Sequence, residues 1–185
     1  MAKLIYSALA SLDGYVADRD GNFDWAEPDE EVHSYVNDLA RPVGTYLFGR
    51  RMYEVLVAWE TMDTSELPAY VQDYARDWHE TDKIVYSTTM NEVGSARTRI
   101  ERTFEPTAVA ELKSSSERDL SVGGPGLAAE ALRAGLVDEL QLFLSPVIVG
   151  GGTAVFPDDA RVRLELLEER RFGNGTAFLR YRTRS

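Results

Sequence analysis

A glycine-rich turn, SVGGPG at 121–126, stands where a predicted strand meets a predicted helix. Glycines at such a junction let backbone N–H groups approach a phosphate closely, and the helix N-terminus adds partial positive charge. The same turn can serve only for tight packing, and the full GxGxxG fingerprint of dinucleotide-binding folds is missing. Gly123, Gly124, Pro125 and Gly126 are therefore candidates for a phosphate site, with packing as the alternative.

Two further segments carry groups that can bind phosphates. In LFGRRMYE at 47–54, a strand end, Gly49 and the pair Arg50 and Arg51 coincide at a predicted helix start. Guanidinium groups there can bind phosphate oxygens in pairs, although solvated surface charges are the simpler interpretation. YSTT at 86–89 ends another predicted strand with three hydroxyls, which can donate to a phosphate or form an ordinary turn or helix cap.

Strands and helices alternate in the first two thirds of the sequence, and the end of the chain is predicted to be strands only. Short apolar runs indicate strands, while apolar residues at helical spacing indicate helices. The predicted strands are 3–9, 45–48, 83–86, 99–104, 119–122, 140–148, 164–172 and 176–182, and the predicted helices begin near 28, 49, 67, 106 and 127. We expect a mostly parallel α/β sheet flanked by helices, with antiparallel C-terminal strands. GGGT at 150–153 is predicted to be a mobile turn.

Composition limits the classes of function. With 185 residues and 44% hydrophobic content, the chain suits a single domain over 1–185. A net charge of −11 repels nucleic acids and anionic lipids. There is no cysteine, no signal-peptide-like start and no apolar run long enough to span a bilayer. We therefore expect a soluble, cytoplasmic protein that acts on a small molecule and binds neither nucleic acid nor membrane.

Six motifs, taken in order, resemble one superfamily. They are ALASLDGYVA, FDWAEPDEE, LFGRRMYE, KIVYST, LSVGGPGLAAEAL and VDELQLFLSPVIVGGGTAVFPD. The chain is similar to dihydrofolate reductases, and closer still to the C-terminal reductase domain of riboflavin-synthesis enzymes (RibD-like) and its stand-alone relatives. The resemblance extends from Lys3 to about Tyr181 and implies the three-layer dihydrofolate-reductase-like fold.

The resemblance implies an NADPH site across the carboxyl ends of the central strands. The positions that match the cofactor contacts are Gly49, Arg50, Arg51, Ser87, Thr88, Gly123, Gly124, Pro125 and Gly126. The glycine turn would hold the pyrophosphate, the arginines the pyrophosphate and adenosine phosphate, and the hydroxyls the 2′-phosphate. Two adjacent arginine guanidinium groups in an acidic protein suit a cofactor with an additional phosphate, so NADPH is expected rather than NADH.

The resemblance also implies a closing loop and a proton donor. The loop from Ser11 to Trp25 corresponds to the flexible loop that covers nicotinamide and substrate in the family. Trp25, Pro28 and Glu30 reproduce the spacing of the essential acid in folate reductases, which makes Glu30 the first candidate; alternatively, this acidic run only favours a helix N-terminus. Asp13, in SLDG, would position the substrate or the loop, unless it is an ordinary turn residue.

Some positions depart from the family pattern. Met52 and Ala128 stand where folate reductases commonly have a threonine and a tyrosine, and the zinc deaminase signature of bifunctional riboflavin enzymes is missing. The two histidines, His33 and His79, are expected to be structural, so no metal site is predicted.

The function expected from the resemblance is NADPH-dependent reduction of a pyrimidine- or pteridine-like heterocycle, most like 5-amino-6-(5-phosphoribosylamino)uracil reductase. The alternatives are reduction of a different substrate by a folate-reductase-like enzyme, or nucleotide binding without catalysis. A homodimer is expected, because the family is often dimeric and antiparallel terminal strands offer edges that can pair.

Overall fold

The computed structural model describes residues 1–184, which form an eight-stranded sheet with helices on both faces. The strands of this sheet are β1 (Leu4–Ser11), β3 (Val43–Gly49), β4 (Asp82–Tyr86), β5 (Thr98–Glu101), β6 (Asp119–Gly123), β7 (Glu139–Ser145), β9 (Arg163–Arg171) and β10 (Ala177–Arg184). Their order across the sheet is β5-β4-β3-β6-β1-β7-β10-β9. The six strands from β5 to β7 run parallel, while β10 is antiparallel to both neighbours.

The helices cover the sheet from two sides. They are α1 (Glu30–Ala40), α2 (Arg50–Leu56), α3 (Ala69–Glu80), α4 (Pro106–Ser115) and α5 (Pro125–Arg133), with short 3₁₀ turns at Asp24–Ala26 and Val57–Glu60. The carboxylate of Asp29 accepts a hydrogen bond from the Val32 backbone N–H and so begins α1 at the predicted place. Prolines at the first position of α4 and α5 suit a helix start, because their missing N–H would be unpaired there.

Two sets of buried side chains lie between these layers. On one face, apolar residues of α4 and α5 pack on alternate residues of the central strands, including Tyr6 and Val122. On the other face, α1 packs on β7 and β10 around Phe143, and α3 packs on β3 and β4 through Trp78. Trp78 is 1% exposed and donates from its indole to Glu60 over 2.8 Å. The arrangement confirms the predicted three-layer α/β fold.

The structure differs from the predicted elements in two regions. Between β1 and α1, a short strand β2 (Tyr15–Ala17) and a 3₁₀ turn lie in what the sequence predicted to be one long loop. β2 pairs with β8 (Thr153–Ala154) in a second, two-stranded sheet. The strand predicted for 140–148 ends at Ser145, and the residues that follow lead to β8. Within residues 1–184 no helix combines the length and the apolar character that a membrane span requires.

Candidate active site

The carboxyl ends of the parallel strands form one edge of the sheet, and a crevice is expected there. After β1 the chain passes to α1 on one face, whereas after its neighbour β6 the chain passes to α5 on the opposite face. Adjacent strands whose connections leave in opposite directions open a crevice at their carboxyl ends, where α/β proteins bind ligands. All the predicted site residues lie at this edge or in the loops that leave it.

The glycine turn follows β6, and its three glycines differ in what surrounds them. A Cβ at Gly123 would lie 2.8 Å from the Phe48 ring, so tight packing alone explains this glycine. Gly124 has φ +91°, a conformation that side chains rarely allow. At Gly126 a Cβ would meet no atom within 4 Å, and the backbone is helical. The fold therefore has no need for glycine at 126.

Gly49, at the end of the neighbouring strand β3, is similarly open. Its φ is −71°, and an added Cβ would have only one neighbour, the Leu127 Cβ at 3.9 Å. The residues before these two glycine-containing turns are paired in register, Phe48 beside Gly123, so the turns lie side by side. Bare backbone at Gly49 and Gly126 is therefore available to a ligand at the crevice.

Arg50 and Arg51 begin α2 next to Gly49. The guanidinium of Arg50 donates to the Glu54 carboxylate over 2.6 Å and to the Thr89 hydroxyl over 3.0 Å, and its side chain is 54% exposed. Arg50 thus connects the ends of β3 and β4. Arg51 is exposed and makes no hydrogen bond or ion pair with any part of the chain that the structure describes.

The hydroxyl residues after β4 form a turn. The Ser87 hydroxyl accepts backbone N–H groups of Thr89 and Met90 at 3.3 and 3.0 Å, while Thr88 is exposed. Ser87 therefore contributes to the shape of its own turn, and its hydroxyl hydrogen is still available to a ligand. The structure brings Ser87 and Thr88 close to Arg50 through Thr89.

Arg102 is a candidate that the sequence reasoning missed. Its guanidinium donates to the carbonyl oxygens of Ser87 and Met90 at 3.1 and 2.6 Å, which places a second arginine, beside Arg50, at the turn after β4. Arg102 directly follows the end of β5. This position at a strand end is the only feature of the sequence that could have marked Arg102 as a site residue. Pairing of β4 with β5 puts Arg102 beside the hydroxyl turn.

Asp13 joins two loops at the same edge. Its carboxylate accepts backbone N–H groups of Val149 and Gly150 at 3.1 and 2.8 Å. A hydrogen bond from Ser11 is the largest cause that lowers the pKa of Asp13, and the bonds from Gly150 and Val149 lower it further. Asp13 is thus an ionised loop anchor, and its position leaves the carboxylate exposed.

The segment 150–153, predicted as a mobile turn between strands, leads from β7 into β8 and contacts the loop after β1. A Cβ at Gly152 would lie 2.0 Å from the Ala17 carbonyl oxygen, and one at Gly151 would lie 2.6 Å from the Arg19 guanidinium. These glycines allow β2 and β8 to approach, and Arg19 also donates to the Gly150 carbonyl over 2.9 Å. The closing loop thus packs directly against this segment.

Three consecutive acids lie at the start of α1, and only one lacks a partner. Asp29 accepts from the Val32 N–H at 3.0 Å, and Glu31 accepts from the Gly173 N–H at 2.9 Å and pairs with Arg170 at 3.3 Å. Glu30 is exposed and has no hydrogen bond or ion pair within residues 1–184. The helix start thus uses Asp29 and Glu31, whereas the Glu30 carboxylate is unpaired among the described residues.

The histidines are not arranged as metal ligands. His33 lies among the rings of Trp59, Tyr70 and Tyr74, with centroid distances of 6.4, 5.0 and 5.6 Å, and burial lowers its pKa. His79 lies 3.7 Å from the Glu60 carboxylate. Across residues 1–184 there is no group of three potential metal ligands.

A depression in the surface also lies at a different place. A depression of about 300 Å³ lies at the opposite edge of the sheet, next to Lys3, Glu139 and Arg182. The charges there are already paired, Lys3 with Glu139 at 2.6 Å and Arg182 with Glu165 at 3.3 Å. At the carboxyl edge Arg51 has no partner among the described residues and the backbone at Gly49 and Gly126 is open, which is the stronger indication of a site.

This combination of edge, glycine turn and arginine pair agrees with a known family. The family model described as the RibD C-terminal domain matches residues 2–178. The chain belongs to the RibD C-terminal domain family. The resemblance inferred from the six motifs is therefore confirmed.

Similar proteins include two bacterial sequences and one solved structure. The uncharacterized protein YyaP of Bacillus subtilis (strain 168) is 27% identical over 182 residues, which are 97% of this chain and 94% of that protein. The riboflavin biosynthesis protein RibD of Corynebacterium ammoniagenes is 28% identical over 153 residues, 78% of this chain and 43% of that protein. A structure from Shewanella sp. PV-4, named for riboflavin biosynthesis, has a TM-score of 0.78 at 21% identity over 100% of both chains, which shows the shared fold.

Proposed function

We propose that this RibD C-terminal domain protein is an NADPH-dependent reductase of a pyrimidine- or pteridine-like heterocycle. Its reaction type would be closest to that of 5-amino-6-(5-phosphoribosylamino)uracil reductase. The observation that carries the proposal is the open backbone at Gly49 and Gly126, next to arginines at the carboxyl edge. A helical glycine costs up to about 1 kcal/mol relative to alanine, so a glycine that the fold does not need favours a ligand that approaches the backbone.

The cations at this edge suit a cofactor with several phosphates. Arg50 reaches Thr89 in the hydroxyl turn, Arg102 reaches the carbonyl of Ser87 in the same turn, and Arg51 is unpaired within the described chain. Each guanidinium keeps N–H groups for a ligand, since an arginine carries five donors. We assign the 2′-phosphate to the Ser87 and Thr88 turn, and the pyrophosphate to the two glycine-containing turns.

The chain's own residues would supply binding, cover and a proton. Bound NADPH supplies a hydride, which reduces an electron-poor carbon of the substrate. The loop from Ser11 to Trp25 covers the part of the crevice beyond β6 and excludes water. Glu30, unpaired and at the same edge, would deliver a proton to the substrate directly or through a water molecule.

The test is a titration of the protein with NADPH and, separately, with NADH, in which binding is measured by calorimetry and by the shift in melting temperature. We expect tighter binding of NADPH, and we expect Arg50→Ala to weaken it about ten- to a hundredfold, the effect of losing a charge-assisted hydrogen bond. Arg76→Ala is the matched control, because Arg76 is also exposed and pairs with a carboxylate of its own helix, Asp73. If neither nucleotide binds, the arginine and glycine assignments fail together.

A second candidate function is nucleotide binding without catalysis. Met52 favours it, because its side chain packs against the glycine turn at the place where folate reductases carry a hydroxyl; its Cβ is 3.2 Å from the Cβ position of Gly124. NADPH binding without oxidation across a panel of pyrimidines and pteridines would support this alternative. Oxidation with any one of them would favour the reductase.

A further inference from the structure

The middle of β1 is more exposed to solvent than either of its ends. Residues 7–9 are partly exposed, whereas residues 4–6 and 10–11 are buried. The neighbouring strand β6 ends at Gly123, which the continued register of the two strands places beside Ser7. Beyond this level β1 keeps a paired neighbour only on its β7 side. The crevice at the carboxyl edge therefore reaches down to Ser7, directly next to the glycine turn.

Gln141 lies next to Ser7 on the other side of β1. The two residues are paired in register between β1 and β7, so their side chains lie on the same face of the sheet. It is the face that α1 covers, because Phe143, two residues further along β7, packs in one cluster with Val32 of that helix. Gln141 is 5% exposed, and Ser7 is partly exposed. The crevice thus has a floor of two adjacent polar side chains.

The polar groups of this floor have no partner within residues 1–184. Neither the Ser7 hydroxyl nor the Gln141 carboxamide makes a hydrogen bond there. Unpaired polar side-chain atoms that are sealed from solvent occur in His33, Asn37 and Arg180, and the Gln141 carboxamide is not among them. This carboxamide therefore borders a space that water can enter. Because buried amides are normally hydrogen-bonded, its donor and acceptor are free for a ligand.

Gln141 lies away from the phosphate-binding turns and toward α1. From the glycine turn to Gln141 there are two strand spacings, β6-β1 and β1-β7, or roughly 10 Å. α1 packs over β7 and begins with Glu30, the candidate proton donor. A ring held against Gln141 would lie between the helix that carries this acid and the strand end that carries the glycine turn. Such a position suits a heterocycle that accepts both a hydride and a proton.

We propose that Gln141, together with Ser7, binds the lactam edge of the substrate, so that the substrate class is a heterocycle with adjacent ring N–H and C=O groups. This inference rests on the proposed reductase function. A carboxamide presents an N–H donor beside a C=O acceptor, which is complementary to a lactam, and the serine hydroxyl can serve as either. A ring without a lactam leaves these buried groups unpaired, and sites built in this way discriminate strongly against such rings.

The first experiment compares two pteridines on the wild-type protein saturated with NADP⁺. The probes are lumazine, which has the lactam N–H groups, and 1,3-dimethyllumazine, in which methyl groups replace these hydrogens. Binding is measured by calorimetry, and we expect lumazine to bind at least about tenfold more tightly, the effect of one hydrogen bond. Equal or tighter binding of the dimethyl compound, or no binding of lumazine, would overturn the inference. Failure to bind NADP⁺ would instead refute the proposed function, and this inference with it.

The variant Gln141→Leu separates hydrogen bonding from the bulk of the methyl groups. Leucine is of similar size but cannot pair with a lactam, so lumazine should bind about tenfold more weakly while 1,3-dimethyllumazine binds unchanged or better. The melting temperature of the free protein should stay the same or rise, because an amide without a protein partner is removed. A variant that keeps the full preference for lumazine would contradict the assignment of Gln141.

Two further variants complete the test. Ser7→Ala removes only a hydroxyl and should also weaken lumazine, which keeps the inference open to refutation if Gln141→Leu does not fold. Thr81→Val is the matched control, because Thr81 is a hydroxyl residue that is 5% exposed but lies before β4 at the opposite edge of the sheet. It should change neither affinity. The nicotinamide of the cofactor also carries an amide, so weaker NADP⁺ binding with unchanged lumazine binding would assign the floor to the cofactor and overturn the proposal.

Discussion

At the scale of single residues, the glycines of the turn after β6 are present for different reasons. Gly123 leaves room for the Phe48 ring, and Gly124 adopts a left-handed backbone. Gly126 has neither requirement. A motif that looks uniform in the sequence therefore contains two glycines that build the turn and one that the turn does not need.

Substitution of these glycines separates folding from binding. We expect Gly126→Ala to leave the melting temperature unchanged or raise it, since alanine is the better helix former by up to about 1 kcal/mol, and to weaken NADPH binding. Gly124→Ala should lower the melting temperature because of its φ of +91°. Thermal shift and NADPH titration of both variants make the comparison. Full NADPH affinity of Gly126→Ala would remove Gly126 from the binding site.

The residue assignments show what a sequence can and cannot reveal. Gly49, Arg50 and Arg51 could be predicted as candidates from their types and their position at a strand end. Arg102 was not, because its neighbours Ser87 and Met90 come from a different strand end and are brought close only by the pairing of β4 with β5. The spacing from Trp25 singled out Glu30 within the run of acids at 29–31, but only the structure shows that Asp29 and Glu31 are the two that stabilise the start of α1.

At the scale of elements, the closing loop and the segment after β7 are joined. Three contacts hold the loop: the hydrogen bonds to the Asp13 carboxylate, the pairing of β2 with β8, and the close approach of the Gly152 backbone to the Ala17 carbonyl oxygen. The sequence predicted the loop but not these contacts, because β2 and β8 have three and two residues and carry no period that marks a strand. We infer that the two segments move together.

The variant Asp13→Asn tests this connection. We expect faster amide hydrogen exchange in residues 147–152, because the two N–H groups lose a charged acceptor. Asp18→Asn is the control: Asp18 accepts only from Asp20 and Asn22 of its own turn, so exchange at 147–152 should not change. Unaltered exchange in the Asp13 variant would show that the carboxylate does not anchor the segment.

The pH dependence of this anchor follows from the lowered pKa of Asp13. A carboxyl group whose pKa is lower in the folded state stabilises that state above its unfolded pKa, about 4, and the contribution is lost only as the pH falls through the folded value. Protection of the Gly150 amide, corrected for intrinsic exchange, should therefore be constant between pH 5 and 8. Loss of protection within that interval would indicate that another group controls the loop.

At the scale of the whole molecule, one edge strand of the sheet carries exposed apolar side chains among its charged ones. β9 is the last strand, and Leu164 and Leu166, 41% and 49% exposed, lie on one side of it opposite Thr183 and Tyr181. Exposed edge strands with apolar side chains are sites where sheets pair. We propose that two copies of the chain associate through this edge, as the antiparallel terminal strands indicated from the sequence.

The association is tested by sedimentation. We expect the wild-type protein to be a dimer at micromolar concentration, and Leu166→Glu to shift it toward monomer because a carboxylate would be placed in the contact. Met62→Glu adds the same charge at another exposed apolar residue, 42% exposed, and should have no effect. A monomeric wild-type protein would exclude a stable dimer.

The placement of the tryptophans gives the molecule two separate optical signals. Trp78, enclosed between α3 and the sheet, should emit at short wavelength and change only on unfolding. Trp25, in the closing loop with its indole bonded to the Asn22 carbonyl at 3.2 Å, is partly exposed and should emit at longer wavelength. Replacing Trp59 and Trp78 with phenylalanine would leave Trp25 as the single tryptophan, so that movement of the loop could be followed by its fluorescence alone.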